Sequence, residues 1–316
     1  MENNLHVLLI FAFLYFIELA YLKIAKKFNI IDKPNLRSSH TTPTIRGGGI
    51  IFIIGCLLFS VSNNFCYPWL LLSVILSGLA SFIDDVKGLP NKVRFGFHLL
   101  SIGLLLFESN LLLLTWWILP LFIIYVGITN AYNFMDGING ITGFYSLSIL
   151  LPLLYTECND LMLQFLVFMI MAIIVFLIFN ARIKARCFAG DIGSISMALI
   201  ILFIVTEKII STGQIQLILT LLLYGLDSIF TIFQRLLNRE NIFEAHRKHL
   251  YQYLANEYKI PHLLVSGMYG ILQLLFNFWI LLMHPTPLNT IISVLIFALI
   301  YVLFKRHLIN HLNSIT

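Results

Sequence analysis

Three short polar stretches interrupt an otherwise apolar chain: Asp84 and Asp85 in FIDDVKGLPNK, the run NAYNFMDGING from Asn130 to Gly140, and Asp191 in FAGDIGS. Adjacent carboxylates repel unless a cation or proton lies between them, so Asp84 and Asp85 point to divalent-metal or acid-base chemistry. Asn130, Asn133 and Gly137 recur at helical spacing, which sets two amides on one face with Asp136 beside them. Such a group can hold a metal or hydrogen-bond the edge of a base. A glycine-capped helix end would account for Gly137 and Gly140 but for neither asparagine. Asp191 and Ser194 open a further apolar run, beside the free N–H groups of a helix start, which suits an anion and a metal. Simple N-capping by either residue gives the same pattern.

Two basic segments supply the opposite charge. The stretch RSSHTTPTIRGGGI brings hydroxyls including Thr44, then His40, Arg46 and three consecutive glycines. A triple glycine permits backbone contact with phosphate, although the run matches no P-loop pattern. In NRENIFEAHRKHLYQYL, the residues His246, Arg247, Lys248 and His249 follow Arg235 and Arg239, a cationic cluster suited to a diphosphate. A basic helix lying on a membrane surface would look similar.

The elements that must position these groups are membrane helices. With 59% hydrophobic and 11% charged residues over 316 positions, the chain lacks the polar surface that a water-soluble domain needs. Apolar runs divided by short polar breaks predict an all-α polytopic protein with about ten or eleven transmembrane helices. They fall near 5–22, 47–62, 68–83, 95–108, 111–129, 138–154, 161–180, 191–207, 214–233, 263–283 and 288–304. Basic residues stay on the cytoplasmic side, and if the loop from Lys23 to Arg46 is cytoplasmic, Lys208 alone among the 20 Lys and Arg faces out. The N-terminus is then outside, the first span is a retained anchor rather than a cleaved signal, and the C-terminus is cytoplasmic. The net charge of +5 is thus a topology signal, and no nucleic-acid partner is expected. The four cysteines show no metal-ligand spacing. Cys66 and Cys158 fall in outward loops and could pair, with free thiols the expected state. With no repeat and no soluble insertion, residues 1–316 read as one membrane-embedded domain.

On this topology Asp84, Asp85, Asp136, Asp191 and Asp227 all lie at or inside span ends on the cytoplasmic side, where a carboxylate is costly and therefore a functional candidate. Cations, carboxylates, amides and glycines on one face, with apolar spans beside them for a lipid, make the inventory for phosphoryl transfer between a nucleotide diphosphate and a membrane-embedded acceptor.

Five ordered motifs, TPTIRGGG, DDVKG, NAYNFMDGING, FAGDIGS and AHRKHLYQ, resemble those of the polyprenyl-phosphate N-acetylhexosamine-1-phosphate transferases, between about Asn35 and Gln252. That family includes the phospho-N-acetylmuramoyl-pentapeptide transferases, and RENIFEAHRKHLYQ is most similar to the branch that initiates O-antigen or capsule synthesis. The resemblance implies transfer of a sugar-1-phosphate from a UDP-N-acetylhexosamine donor to undecaprenyl phosphate in the bacterial inner membrane, with release of UMP and a need for Mg2+. It implies Asp191 as the principal metal aspartate with Asn133 beside it, and Asp84 and Asp85 as the paired acids of a D-D-x-x-D pattern. Phe188 is implied as an aromatic that stacks on uracil, and Asn130, Asp136 and Asn139 as part of the nucleoside-binding stretch. His249 matches the first histidine of a cytoplasmic histidine motif, and Thr44, Arg46, His246, Arg247 and Lys248 are the further substrate-binding candidates.

Three positions depart from the pattern. Gly88 stands where D-D-x-x-D has its third acid, and Asn139 where D-G-x-D-G has its second. The clustered histidines become His-Arg-Lys-His followed by Tyr251 and Gln252. A transporter of a lipid-linked or anionic solute and an intramembrane prenyltransferase are the rival readings. The first fits poorly because the carboxylates collect on one face rather than at the midplane, and the second does not suit Gly-Asp-Ile-Gly-Ser or Asn-x-x-Asn. The sugar is not legible, and a homo-oligomer is left open.

Overall fold

A computed structural model describes residues 2–34, 38–113, 116–242, 244 and 246–315. Asn35 and Arg37, where the first motif-bearing loop begins, and Ala245, which opens AHRKHLYQ, lie outside the described residues. In chain order the helices are α1 (Glu2–Lys27), α2 (Ile50–Ser62), α3 (Pro68–Lys87), α4 (Asn91–Glu108), α5 (Ile118–Met135), α6 (Ile141–Thr156), α7 (Asp160–Asn180), α8 (Gly190–Thr212), α9 (Leu222–Leu237), the short α10 (Leu250–Gln252), α11 (His262–Met283) and α12 (Pro287–Ile315). A 3-10 segment, Ile215–Leu221, runs directly into α9. The only strands among the described residues are β1 (Ile31–Asp32) and β2 (Thr44–Ile45), an antiparallel pair in which Ile31 faces Ile45.

Every apolar run expected to span the membrane contains an α-helix, and the chain is an all-α, multi-pass membrane protein. Among the described residues, eight helical segments are both long and apolar enough to cross a bilayer: α1, α3, α5, α7, α8, the continuous segment Ile215–Leu237, α11 and α12. Two predicted spans fall short of full length, α2 with 13 residues and α6 with 16. A third, α4, has 18 residues and carries Lys92, Arg94 and Glu108. The fifth helix starts seven residues later than the apolar pattern suggests and continues through Asn130 and Asn133.

Helix α8 is the axis of the fold, with 89% of its apolar window buried, against α3, α5 and α2. That depth of burial needs close neighbours, and small residues provide them. A Cβ on Gly49 would come within 2.2 Å of the Gly193 Cα, so the start of α2 meets the first turn of α8 backbone to backbone. The other two glycines of the run pack closely against side chains, Gly48 against Cys187 and Gly47, at φ +83°, against the Tyr21 hydroxyl. The triple glycine that could have cradled a phosphate instead seats α2 on its neighbours. It leaves the chain flat enough to pair with the segment before α8. Phe188 donates its N–H to the Ile45 carbonyl at 2.8 Å, Gly48 donates to the Phe188 carbonyl at 2.8 Å, and Gly49 to the Ala189 carbonyl at 3.1 Å. This ladder carries Arg46 to the mouth of α8.

Candidate active site

The N-termini of α6, α8 and α11 and the C-termini of α3 and α5 end on one side of the bundle, where a cavity of about 190 Å³ opens. Its wall includes Arg46, Asn133, Asp136, Asn139, Phe188 and Asp191, brought together from segments up to 145 positions apart in the chain. Gly190, at φ +69°, turns the chain into α8 and leaves Asp191 in the first helical turn, where exposed backbone N–H groups favour negative charge. Asp191 keeps 19% side-chain exposure, and its carboxylate lies 3.6 Å from the Arg46 guanidinium and 3.5 Å from that of Arg94. It is also hydrogen-bonded by the Asn133 side chain, whose Oδ1 accepts from the Ser194 hydroxyl at 2.9 Å.

The acid pair from the end of α3 divides its partners. Asp84 accepts from the Leu89 N–H at 2.7 Å and from Arg94 at 2.6 Å. Asp85, with a side chain only 2% exposed, pairs with Arg46 at 2.8 Å and accepts from the Asp191 backbone N–H. Its second oxygen has no partner. That oxygen would lie 2.9 Å from a Cβ on Gly190, so the glycine is what allows α3 and α8 to meet here. Three carboxylates and two guanidinium groups therefore form one chain: Arg46 joins Asp85 to Asp191, and Arg94 joins Asp191 to Asp84.

Arg94 was not singled out by its sequence, where it is one of three basic residues in a short loop. Gly88 caps α3 at φ +72° and the chain turns through Pro90 into α4, which folds Arg94 back onto Asp84 ten positions earlier. The same turn explains why Gly88 replaces an acid, since a side chain is strained at that φ. Asn139 also has a physical reason to be an amide. Its NH2 donates to the Arg182 carbonyl at 2.7 Å and to that of Ile183 at 3.4 Å, which a carboxylate could not do. It holds the α7–α8 loop against the cavity.

The remaining candidates are dispersed. Phe188 lines the cavity with its ring edge-on to His40, centroids 4.7 Å apart. Thr44 is buried in β2 and donates to the Thr42 carbonyl, and Asn130 is exposed on α5; neither lines the cavity. From the 246–252 segment the wall takes only Gln252. Lys248 is paired with Glu240, and His249 is 2% exposed with its Nδ1 3.2 Å from Asp227. Burial, reinforced by His249 and nearby cations, pushes His246 down to about 4, so it is neutral at pH 7 and adds no positive charge. Asp32, Ser38, Ser39, Asn180 and His262 also line the cavity. They come from loops and helix ends whose convergence has no local signature.

Burial pushes the Asp136 carboxyl up to about 6, the Thr142 hydrogen bond opposing the rise and the charge of Asp191 adding to it. The folded protein then holds this proton more tightly than the unfolded chain. Its stabilising effect is full below the ordinary value of 3.8 and is lost as pH rises through about 6. Asp136→Asn should flatten that part of the stability profile, measured as the unfolding midpoint in detergent between pH 4 and 7. A variant with the slope of the parent would exclude Asp136 as its source.

The donor set matches a hard divalent cation, being carboxylate and amide oxygen, with one buried carboxylate oxygen unsatisfied. Among the described residues, no three His, Cys, Asp or Glu side chains are arranged to hold an ion by themselves. Mg2+ commonly takes only one or two carboxylates and completes its shell with water and substrate phosphate, so Asp191 and Asn133 are chemically adequate for it.

Residues 67–208 match the glycosyl transferase family 4 profile, a region that contains Asp84, Asp85, Asn130, Asn133, Asp136, Asn139, Phe188 and Asp191. The chain is 27% identical over 258 residues to the undecaprenyl-phosphate alpha-N-acetylglucosaminyl 1-phosphate transferase of Salmonella typhi, covering 72% of this chain and 70% of that one. It is 26% identical over 257 residues to a Bacillus subtilis protein named "Probable undecaprenyl-phosphate N-acetylglucosaminyl 1-phosphate transferase", covering 73% and 71%. Over 172 residues it is 32% identical to the phospho-N-acetylmuramoyl-pentapeptide-transferase of Dictyoglomus turgidum, covering 48% and 55%. A multi-pass helical membrane architecture, a cavity built from the acidic motifs and these similarities agree: residues 67–208 of this chain are a glycosyl transferase family 4 domain.

Proposed function

We propose that this protein transfers an N-acetylhexosamine-1-phosphate from a UDP-sugar to undecaprenyl phosphate, releasing UMP, as the initiating step of a surface polysaccharide such as O-antigen. The observation that carries this reading is the ion-pair network of Asp84, Asp85 and Asp191 with Arg46 and Arg94, which reaches the helix-end cavity through Arg46 and Asp191. The names of the relatives support the class of transferred group and the acceptor. An oxygen of the lipid phosphate attacks the sugar-linked phosphorus, the bond from that phosphorus to the bridging oxygen breaks, and its electron pair leaves on UMP. Mg2+ at this site would neutralise charge on the diphosphate. Asp191 and Asn133 are the residues that would hold it. Arg46 and Arg94, already beside the carboxylates, can turn to the phosphate oxygens with bidentate geometry. Phe188 and Asp136 line the cavity where the uridine end would lie.

Purified protein given undecaprenyl phosphate and a panel of UDP-N-acetylhexosamines should release UMP and form the lipid-linked sugar. The absence of UMP with every donor, or release of diphosphate from a prenyl diphosphate, would overturn the reading.

The bacterial inner membrane is the proposed location, with residues 1–316 acting as one domain, the N-terminus outside and the cavity cytoplasmic. This orientation rests on the distribution of Lys and Arg. In a cysteine-free background, a cysteine at Asn63 or Asn110 should react with an impermeant thiol reagent from outside, and one at Asn91 should not. The opposite labelling would invert the orientation.

A further inference from the structure

Asp227 lies in α9 with no exposed surface, in an apolar helix of a membrane protein, and takes no part in the cavity wall. Its Oδ1 receives the Leu250 N–H at 3.0 Å, the Tyr301 hydroxyl at 2.9 Å, the Thr231 hydroxyl at 3.2 Å and the His249 Nδ1 at 3.2 Å. Its Oδ2 receives the Tyr269 hydroxyl at 2.7 Å. Lys305 donates to the Thr231 hydroxyl at 2.7 Å, which brings a positive charge to the same group. These donors come from α9, the start of α10, α11 and α12.

An apolar residue could pack α9 against its neighbours without the desolvation cost of a carboxylate, so helix packing alone does not account for Asp227. What the carboxylate does that an apolar group cannot is hold the chain at His249 and Leu250. From that point the path to the cavity is short. His249 donates its backbone N–H to the Gln252 side chain at 3.2 Å, the Tyr251 hydroxyl donates to the Phe134 carbonyl at 2.9 Å, and Gln252 is in the cavity wall. Helix α12 has only 11% of its apolar window buried, and its polar attachments gather near the same end, with the Tyr258 hydroxyl donating to the Leu308 carbonyl at 2.9 Å.

We propose that Asp227 is a positioning residue for the transferase site: with Tyr301 and Lys305 of α12 it latches the 246–252 segment so that Gln252 forms part of the substrate cavity. This rests on the function proposed above and makes α12, which lies outside the matched family region, a working part of the site.

The test compares full-length wild type with Asp227→Asn, Tyr301→Phe and Asp227→Glu. UMP release is followed with UDP-N-acetylglucosamine and undecaprenyl phosphate, alongside the unfolding midpoint and the rate of tryptic cleavage after Arg239, Arg247 or Lys248. Asp227→Asn, which turns an NH2 toward a shell of donors, should lose ~100-fold in kcat, the scale of a misplaced catalytic element. The unfolding midpoint should fall, because buried donors lose an acceptor, and cleavage in the segment should accelerate under conditions where the variant stays folded. Tyr301→Phe removes one donor and keeps the ring, and should show a smaller loss of the same kind; Asp227→Glu should recover part of the rate. Wild-type turnover in Asp227→Asn and Tyr301→Phe, or lost turnover without faster cleavage, would overturn the latch. If Asp227→Asn does not fold, Tyr301→Phe decides by the same two readings. If wild type releases no UMP with this donor or with any other UDP-N-acetylhexosamine, the proposed function fails, and the cleavage rates alone decide the latch: unchanged rates in folded variants reject it.

Discussion

Asp191→Asn should leave the protein folded and inserted yet remove nearly all turnover. The residue sits at the helix start that faces the cavity, keeps part of its surface, and lies within 3.6 Å of both arginines. Asparagine has nearly the same size and shape, so the substitution opens no cavity there, and its oxygen can still accept the Asn133 hydrogen bond. What disappears is a full negative charge that a divalent cation needs and that orders Arg46 and Arg94. Removing one electrostatic element of this kind typically costs ~100- to 1000-fold in kcat, and losing a metal ligand as well should place the variant at or beyond the upper end. The measurement is UMP release against Mg2+ concentration, with the unfolding midpoint as control. A near-normal rate with ordinary Mg2+ dependence would remove Asp191 from the metal site.

The second large effect separates two roles for the acid pair. Asp85→Asn should cost more than Asp84→Asn. Asp85 is almost wholly buried, touches Arg46 and the Asp191 backbone, and has an oxygen without a partner, whereas Asp84 is held by Leu89 and Arg94. We expect a loss of ~100-fold for Asp85→Asn, in keeping with a displaced binding group. A phosphate monoester has its second pKa near ~6, so the lipid phosphate is already mostly dianionic at neutral pH and has little proton to give up. A positioning carboxylate therefore predicts a loss that is roughly uniform with pH at saturating substrate, partly restored by extra Mg2+. A base predicts residual activity that climbs with pH. Strong recovery of Asp85→Asn between about pH 6 and 9, insensitive to Mg2+, would make the residue a proton acceptor.

Much of this architecture is written locally in the chain. Long apolar runs locate the helices, and Asp85, Asn133, Asp136, Phe188 and Asp191, which share a cavity or a charge network, all lie in motifs whose residue types advertise chemistry. What escaped the sequence was non-local. Arg94 became legible only when a three-residue turn folded α4 back on α3, and Gln252 only when Asp227 and Phe134 anchored its neighbours. The triple glycine is ambiguous for a related reason: glycine permits close approach, and its sequence does not say whether a phosphate or another helix approaches. Here the partner is Gly193. The basic cluster at 246–249 reads as phosphate-binding, and its sequence does not show that Glu240 and Asp227 engage Lys248 and His249.

The contact of Gly49 with Gly193 makes the mounting of the site unusual in mechanical terms. Most helices in a bundle touch through side chains, which can change rotamer and absorb a small displacement of either axis. Here two main chains meet with nothing between them, two residues from Asp191 and three residues from Arg46, so there is no compliant layer to take up a shift. A shift of α2 is therefore shared by the first turn of α8, and the backbone positions that carry Arg46 and Asp191 move together. The spacing of the two main chains that bear these charges is thus set by direct backbone contact, and a change in bilayer thickness that tilts the outer helices would leave that spacing intact, while the Arg46 side chain stays free to turn.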